Sequence, residues 1–306
     1  MIDPTVNRHE FVGGSDVAAI MGLSRWSTPL KTWALKTQSI PDDFVMNEAM
    51  ELGVELEDFV AKKFSKATGK KVQVDNRDFT HPEYPYMKAH IDRWIVGGEI
   101  LECKTCSGWK AKEWDGDEIP DEYFLQLNWY LGIVGKKVGH IAVLIGGQMF
   151  RHKLLNFSQA LFDTQVAAVK EFWEDFVLLK QAPMALSADH DTLIELHPES
   201  RNEEMIQVDD CEIELHVNQL SVDRMEGKAQ IKDINVDVSQ AENSLKQMIG
   251  DNVGIETGQH KITWKYQERN SVDTKKMKED GIYDRYTKTT STRVLRVVEK
   301  SSKKED

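Results

Sequence analysis

Cysteine is scarce in this chain: Cys103, Cys106 and Cys211 are the only three, too few for a disulfide framework. Cys103-Lys-Thr-Cys106 has the spacing of a redox pair, but it falls on a predicted strand and no second pair of metal ligands accompanies it, so it reads as incidental. Long apolar runs are lacking too. None approaches the ~20 residues that a membrane-spanning helix needs, and the opening Met-Ile-Asp-Pro has no signal-peptide pattern. The expectation is a cytoplasmic protein without a membrane partner. A third lack is positive charge: 39 Lys and Arg against 51 Asp and Glu leave a net charge of −12. That balance excludes a surface that coats nucleic acid non-specifically. It leaves room for a local basic groove, because phosphate contacts need only a few cations at the site.

What is present is an α/β pattern. At 306 residues the chain suits one domain plus an appendage better than a single core. Helices are expected from Ser15 to Met21 with Ser15 as cap, from Pro29 to Thr37, from Asn47 to Thr68 ended by Gly69, and from Pro120 to Val134. Strands are expected at Lys71 to Thr80, Tyr86 to Val96, Glu99 to Thr105, Val138 to Ile145 and Gln148 to Leu155, before a helix from Ser158 to Leu179. The fold class is therefore α/β, a mixed central sheet flanked by helices. Residues 1–183 form the expected domain and 184–202 a linker. Residues 203–306 form a C-terminal appendage that is helical and then strand-rich. In it, apolar residues from Leu220 to Ile249 recur at spacings of three, four and seven, which predicts a long amphipathic helix or helical hairpin for packing or partner binding. Lys261 to Gln267 and Thr292 to Val298 read as strands, with Trp264, Tyr266, Arg293 and Arg296 as candidates to stack on or neutralise single-stranded DNA.

The chemistry concentrates around Asp92, Glu102 and Lys104. Two β-rich stretches flank Gly97-Gly98, a pair suited to the positive φ of a tight hairpin turn. Alternation puts Glu102 and Lys104 on one face of the second strand and Leu101 and Cys103 on the other. If pairing brings Asp92 to the first face, two carboxylates and an ammonium converge. Clustered carboxylates repel and resist desolvation, so such a group points to a hard divalent cation among them. Asp-x(n)-Glu-x-Lys also arises by chance in a chain that is 29% charged. Its setting within an apolar strand, where unpaired charge is costly, raises its weight.

Asp92 with Glu102-Cys-Lys104 resembles the signature of the PD-(D/E)XK nucleases, in the version carried by YqaJ-like viral recombinases and phage lambda-type exonucleases. Gly53-Val-Glu-Leu-Glu57 resembles the helical G-x-x-x-E that precedes the catalytic strands of that family, and Gln126-Leu-Asn-Trp-Tyr130 its Gln-x-x-x-Tyr element. Gly13 to Gly22 looks like its opening helix, and Arg8, Ser15 and Arg25 match the spacing of a phosphate-binding Arg, Ser and Arg. The resemblance covers residues 8–180, with Ile91 where the motif often has Pro.

It implies a Mg²⁺-dependent deoxyribonuclease, with Mn²⁺ able to substitute and two ions per site. Asp92, Glu102 and the Cys103 carbonyl would be metal ligands, and Glu57 would hold a metal-bound water or the second ion. Lys104 would orient or deprotonate water and offset transition-state charge, while Gln126 would position the Lys104 region or a phosphate. Arg8, Ser15, Arg25, His90, Lys110 and Tyr130 are the candidate DNA contacts. His90 reads equally as a hydrogen-bond partner of Asp92. The expected activity is 5′ to 3′ digestion of linear duplex ends by a ring of three subunits, feeding 3′ overhangs to a single-strand annealing protein in recombination or repair. Two other readings stand beside it, an endonuclease of the same fold and a non-catalytic DNA-end-binding module.

Overall fold

The computed structural model describes residues 7–42, 46–74, 77–199, 205, 211–257, 259–268 and 271–288. The chain divides into two compact units, Met1–Pro198 and Glu199–Asp306.

In the first unit, helices α1 (Gly14–Ile20), α2 (Pro29–Lys36) and α3 (Glu48–Thr68) precede the sheet. The Thr28 side chain caps α2 and that of Asn47 caps α3, which Gly69 ends at a positive φ of 73°. Strands β1 (Val72–Gln73), β4 (Arg93–Ile95), β5 (Glu99–Cys106), β6 (Val138–Ile145) and β7 (Met149–Asn156) form one sheet in the order β1-β4-β5-β6-β7. Antiparallel pairing joins all neighbours except β5 and β6, which run parallel. Parallel strands need a crossover, here α4 (Asp121–Val134). The sheet is thus mixed and flanked by helices. Val60, Ala61 and Phe64 of α3 pack against Leu101, Ala142 and Leu144 on one face, while Leu127 and Leu131 of α4 join the core of Ile100, Ile141 and Val143 on the other.

The hairpin forms as expected, Ile95 opposite Glu99, with Gly97 and Gly98 at φ 117° and 97°. The expected strand Tyr86 to Val96, however, is split. β3 (Lys88–His90) turns away to pair with β2 (Asp78–Thr80) in a separate ribbon, and Asp92 sits at the break. Two more expectations change. Gly13, not Ser15, is the N-cap of α1, and its N–H donates to Asp16 Oδ2 at 2.9 Å. The expected linker holds helix α6 (His190–Leu196), preceded by a fully buried Asp189 that accepts hydrogen bonds from the Thr28 hydroxyl and the Leu186 N–H. A buried acid with two donors anchors that stretch to α2, and the first unit runs on to Pro198. The helix after Ser158 is α5 (Gln159–Glu171), extended by a π-helical turn over Phe172–Val177.

Glycine decides one close approach. A Cβ at Gly14 would stand 2.4 Å from Tyr130 Cε1, so α1 meets α4 only because no side chain intervenes. Gly14→Ala is expected to cost about 1–3 kcal/mol through overpacking against a buried ring. An unchanged urea midpoint at unchanged slope would contradict this packing.

In the second unit, α7 is one continuous helix, Cys211–Ile249, rather than a hairpin. A ribbon of β8 (Gly254–Glu256) and β9 (Lys261–Thr263) follows, then α8 (Thr274–Glu279). Trp264 and Tyr266 are exposed. The expected strand Thr292 to Val298, with Arg293 and Arg296, lies outside the described residues. Among the described residues no helix is long and apolar enough to cross a membrane.

Candidate active site

Where β4 stops pairing, β5 is left with an unpartnered stretch of backbone, and Asp92 fills it: its Oδ2 accepts a 2.8 Å hydrogen bond from the Cys103 N–H. Continuing the register, Asp92 lies on the face of Glu102 and Lys104. Lys104 Nζ stands 2.6 Å from Glu102 Oε1. The same oxygen accepts from Gln126 Nε2 at 2.9 Å, and that amide also donates to the Tyr130 hydroxyl at 2.9 Å. Gln126 and Tyr130 are one helical turn apart on α4 and so face the sheet together.

Glu102 is buried, and its second oxygen, Oε2, has no hydrogen-bond partner. Burial, reinforced by Asp92, pushes the Glu102 carboxyl up to about 8 despite Lys104. Burial acts on Lys104 in the opposite sense, yet Glu102 and Asp92 outweigh it and hold the ammonium above its ordinary value. Burial likewise raises the Tyr130 hydroxyl and the Cys103 thiol. The Lys104 ammonium also lies over the Tyr123 ring, 5.1 Å from its centroid.

Glu57 comes to this centre from α3, but it is not free. It ion-pairs with Arg93, whose guanidinium also donates to Asp58 and to the Asp92 carbonyl, each at 2.5 Å. Burial and the neighbouring Asp92 raise the Glu57 carboxyl, with Arg93 opposing. Among the described residues, no three His, Cys, Asp or Glu side chains form a set able to hold a metal ion by themselves. The oxygen donors that fit a hard cation are the Asp92 carboxylate, the orphaned Glu102 Oε2 and backbone carbonyl groups. Arg93 is a residue that sequence reasoning missed. Strand alternation held the signal: it follows Asp92 and so points to the opposite face, where α3 presents Glu57 and Asp58.

Arg8 and Ser15 are brought together. Arg8 Nη2 donates to Ser15 Oγ at 3.1 Å and to Asp16 Oδ1 at 2.8 Å. Both line a cavity of about 420 Å³ that also takes in Asp16 and Lys36. Gly14, next to Ser15 on α1, lies against Tyr130 and Gln126 of α4, so α1 carries Ser15 close to the helix that contacts Glu102. Arg25 does not line the cavity. Its guanidinium forks onto Glu113 with two 2.9 Å bonds and meets Glu122 at 2.8 Å. Lys110 lies over the exposed Trp26 ring, 4.3 Å from its centroid. His90 faces Asp78 at 3.3 Å across the small ribbon rather than Asp92, because β3 turns away before Asp92.

Together these features define the class: an α/β domain carrying two carboxylates and a lysine on one sheet face, backed by an amide and a phenol. Residues 6–137 match the model of the YqaJ-like viral recombinase domain. The chain is 36% identical over 303 residues to the uncharacterized protein YqaJ of Bacillus subtilis (strain 168), covering 97% of this chain and 93% of that protein. It belongs to the YqaJ-like viral recombinase family. Among solved structures, it is similar to an alkaline exonuclease of Laribacter hongkongensis (19% identity, 57% of this chain and 93% of that one, TM-score 0.47). It is also similar to a phage-related exonuclease of Haemophilus somnus 129PT (14% identity, 56% and 96%, TM-score 0.42).

Proposed function

We propose that the chain is a divalent-metal-dependent deoxyribonuclease that digests linear duplex DNA from its ends, 5′ to 3′, and leaves a 3′ single strand for an annealing protein. The convergence of Asp92, Glu102 and Lys104, with Glu102 Oε2 buried and unpartnered, carries this reading. Two desolvated carboxylates side by side are unfavourable unless a cation offsets them. Asp92, Glu102 and the Cys103 carbonyl would hold Mg²⁺, and Glu57 would join them if it released Arg93. Such an ion would lower the pKa of a nearby water and offset charge on the scissile phosphate. Lys104, paired with Glu102, would orient or deprotonate the attacking water and offset charge on the scissile phosphate. Gln126 holds Glu102 through Oε1, and the Tyr130 hydroxyl accepts from the same amide. Arg8 and Ser15, which line one cavity, suit a phosphate group.

The decisive test is digestion of end-labelled linear duplex with Mg²⁺, with and without a 5′-phosphate, beside a covalently closed circle. Loss of label from the linear substrate alone, abolished by EDTA and supported by Mn²⁺, is the expected result. Cleavage of the circle would make the protein an endonuclease, and binding to ends without hydrolysis would make it an end-binding module. Arg25 supplies a further check. To read a terminal phosphate it must leave Glu113 and Glu122, so Arg25→Ala should slow phosphorylated ends more than hydroxyl ends. An equal loss on both would leave Arg25 as a surface tie between its two carboxylates.

A further inference from the structure

The second unit carries a feature that the nuclease reading does not use. Along α7, Ile213, Val217 and Leu220 open a series that steps by four and three, and it resumes from Ile231 through Ile234 and Val238 to Met248. Only Arg224 and Gly227 interrupt it. A strict alternation of four and three is a period of 3.5, the mark of a two-helix seam rather than of a helix lying on a globular core, whose stripe is wider and follows 3.6. The seam is nevertheless exposed: Ile231 is 61% exposed, Ile234 60%, Val238 50% and Met248 72%. A helix of 39 residues extends ~58 Å, and helices draw most of their stability in water from packing an apolar face. Val217 and Leu220 are half-buried, but among the described residues the face from Ile231 to Met248 has no cover.

We infer that α7 pairs with α7 of a second copy of this chain, antiparallel, about a centre between Ile231 and Ile234. The two interruptions select the occupant and its direction. In a parallel pair, Arg224 would face Arg224 and Gly227 would face Gly227, placing like charges on one layer and a void on the next. Antiparallel about that centre, Ile231 meets Ile234 of the second copy, and the interruptions meet residues that complement them. Arg224 lies against the small Ala241, and Gly227 receives Val238. Leu220 then faces Leu245, and Val217 faces Met248. The flanking charges permit either direction: antiparallel pairing sets Lys228 beside Glu242 and Asp223 beside Asp237, whereas parallel pairing sets Asp223 beside Lys228 and Asp237 beside Glu242. The direction therefore rests on the seam itself, where Arg224 and Gly227 meet residues that complement them only when the second α7 runs the other way. Leu215, Val222 and Val236 lie on the outer face of the helix, away from this seam.

The test uses the full-length chain. In a Cys211→Ser background, one preparation carries Leu220→Cys and another Leu245→Cys. After mixing and mild oxidation, the expected result is a disulfide between the two different variants, formed efficiently only in the mixture. Cross-linking of Leu220→Cys to itself would establish parallel pairing, and no cross-link in any combination would remove the pairing. Sedimentation gives a second reading. Ile231→Glu with Ile234→Glu should halve the particle mass, whatever number of nuclease units each half carries. Glu242→Lys alone should weaken association at least tenfold, and Lys228→Glu added to the same chain should restore it, which a variant that merely misfolds would not show. A wild-type chain that sediments as a monomer would overturn the inference and assign the seam to a different protein.

Discussion

Glu102→Gln should abolish metal-dependent digestion, with turnover falling by roughly 10²–10³-fold or more, the loss typical when one preorganised charged group is removed from a reaction centre. The substitution keeps the shape of the side chain, and the amide oxygen can still accept from Gln126 and Lys104 at the Oε1 position. What disappears is negative charge at the buried, unpartnered Oε2. The same change removes one of two neighbouring carboxylates, and Lys104 keeps the charge of Asp92 beside it, so the metal-free variant should remain folded with a urea midpoint close to that of the wild type. The two results separate a catalytic role from a structural one. Mg²⁺ should raise the melting temperature of the wild type through preferential binding to the folded state and leave that of Glu102→Gln nearly unmoved. A variant that digests DNA at a rate comparable to wild type, or one that loses activity only because it unfolds, would remove Glu102 from the centre.

The part of this site that could be read in the sequence is the part that local periodicity controls. Glu102 and Lys104 share a face because strand alternation leaves no other choice, and Gly97-Gly98 closes the hairpin that sets Asp92 beside them. Gln126 and Tyr130 come together because they are one turn apart on a helix. Residues whose place depends on a cap, a strand break or a distant partner were harder to place. Ser15 was expected as a helix cap, but the cap is Gly13, and Ser15 turns instead to Arg8. Arg25 shares the N-terminal spacing of Arg8 and Ser15, yet Glu113 and Glu122, supplied from nearly a hundred residues onward, draw it elsewhere. His90 parted from Asp92 because a strand that looked continuous breaks at Ile91, whose side chain is buried in the core. The stretch after Pro183 looked like a linker by composition, since one buried acid, Asp189, and its hydrogen bonds leave no periodic trace.

Asp16 shows the same limit and gives the second large effect. Nothing in the local sequence marks it, but it is the carboxylate on which two cations depend: Arg8 at 2.8 Å and Lys36 at 2.9 Å, the latter with a side chain only 5% exposed. Asp16→Asn should destabilise the first unit by about 2–4 kcal/mol, because breaking a buried pair strands the remaining charge. Burial alone would push the Asp16 carboxyl up, but Lys36 and Arg8 outweigh it and hold it below the ordinary value of 3.8. Lys36 is displaced the other way, since burial and the nearby Arg8 hold it below 10.5 despite Asp16. The carboxylate is the better guide to the pair, because it faces two cations while Lys36 faces one anion and one like charge. A carboxyl with a depressed folded pKa contributes stability that is fully present above its unfolded value and is lost as the pH falls through its folded value. The difference between wild type and Asp16→Asn in urea unfolding should therefore be full at neutral pH and shrink below about pH 3.8. Lys36→Met added to Asp16→Asn should recover part of the loss, because it removes the stranded ammonium. A loss that persists undiminished in acid, or no recovery in the double variant, would show that Asp16 acts through the Gly13 N–H at the start of α1 rather than through its two cations.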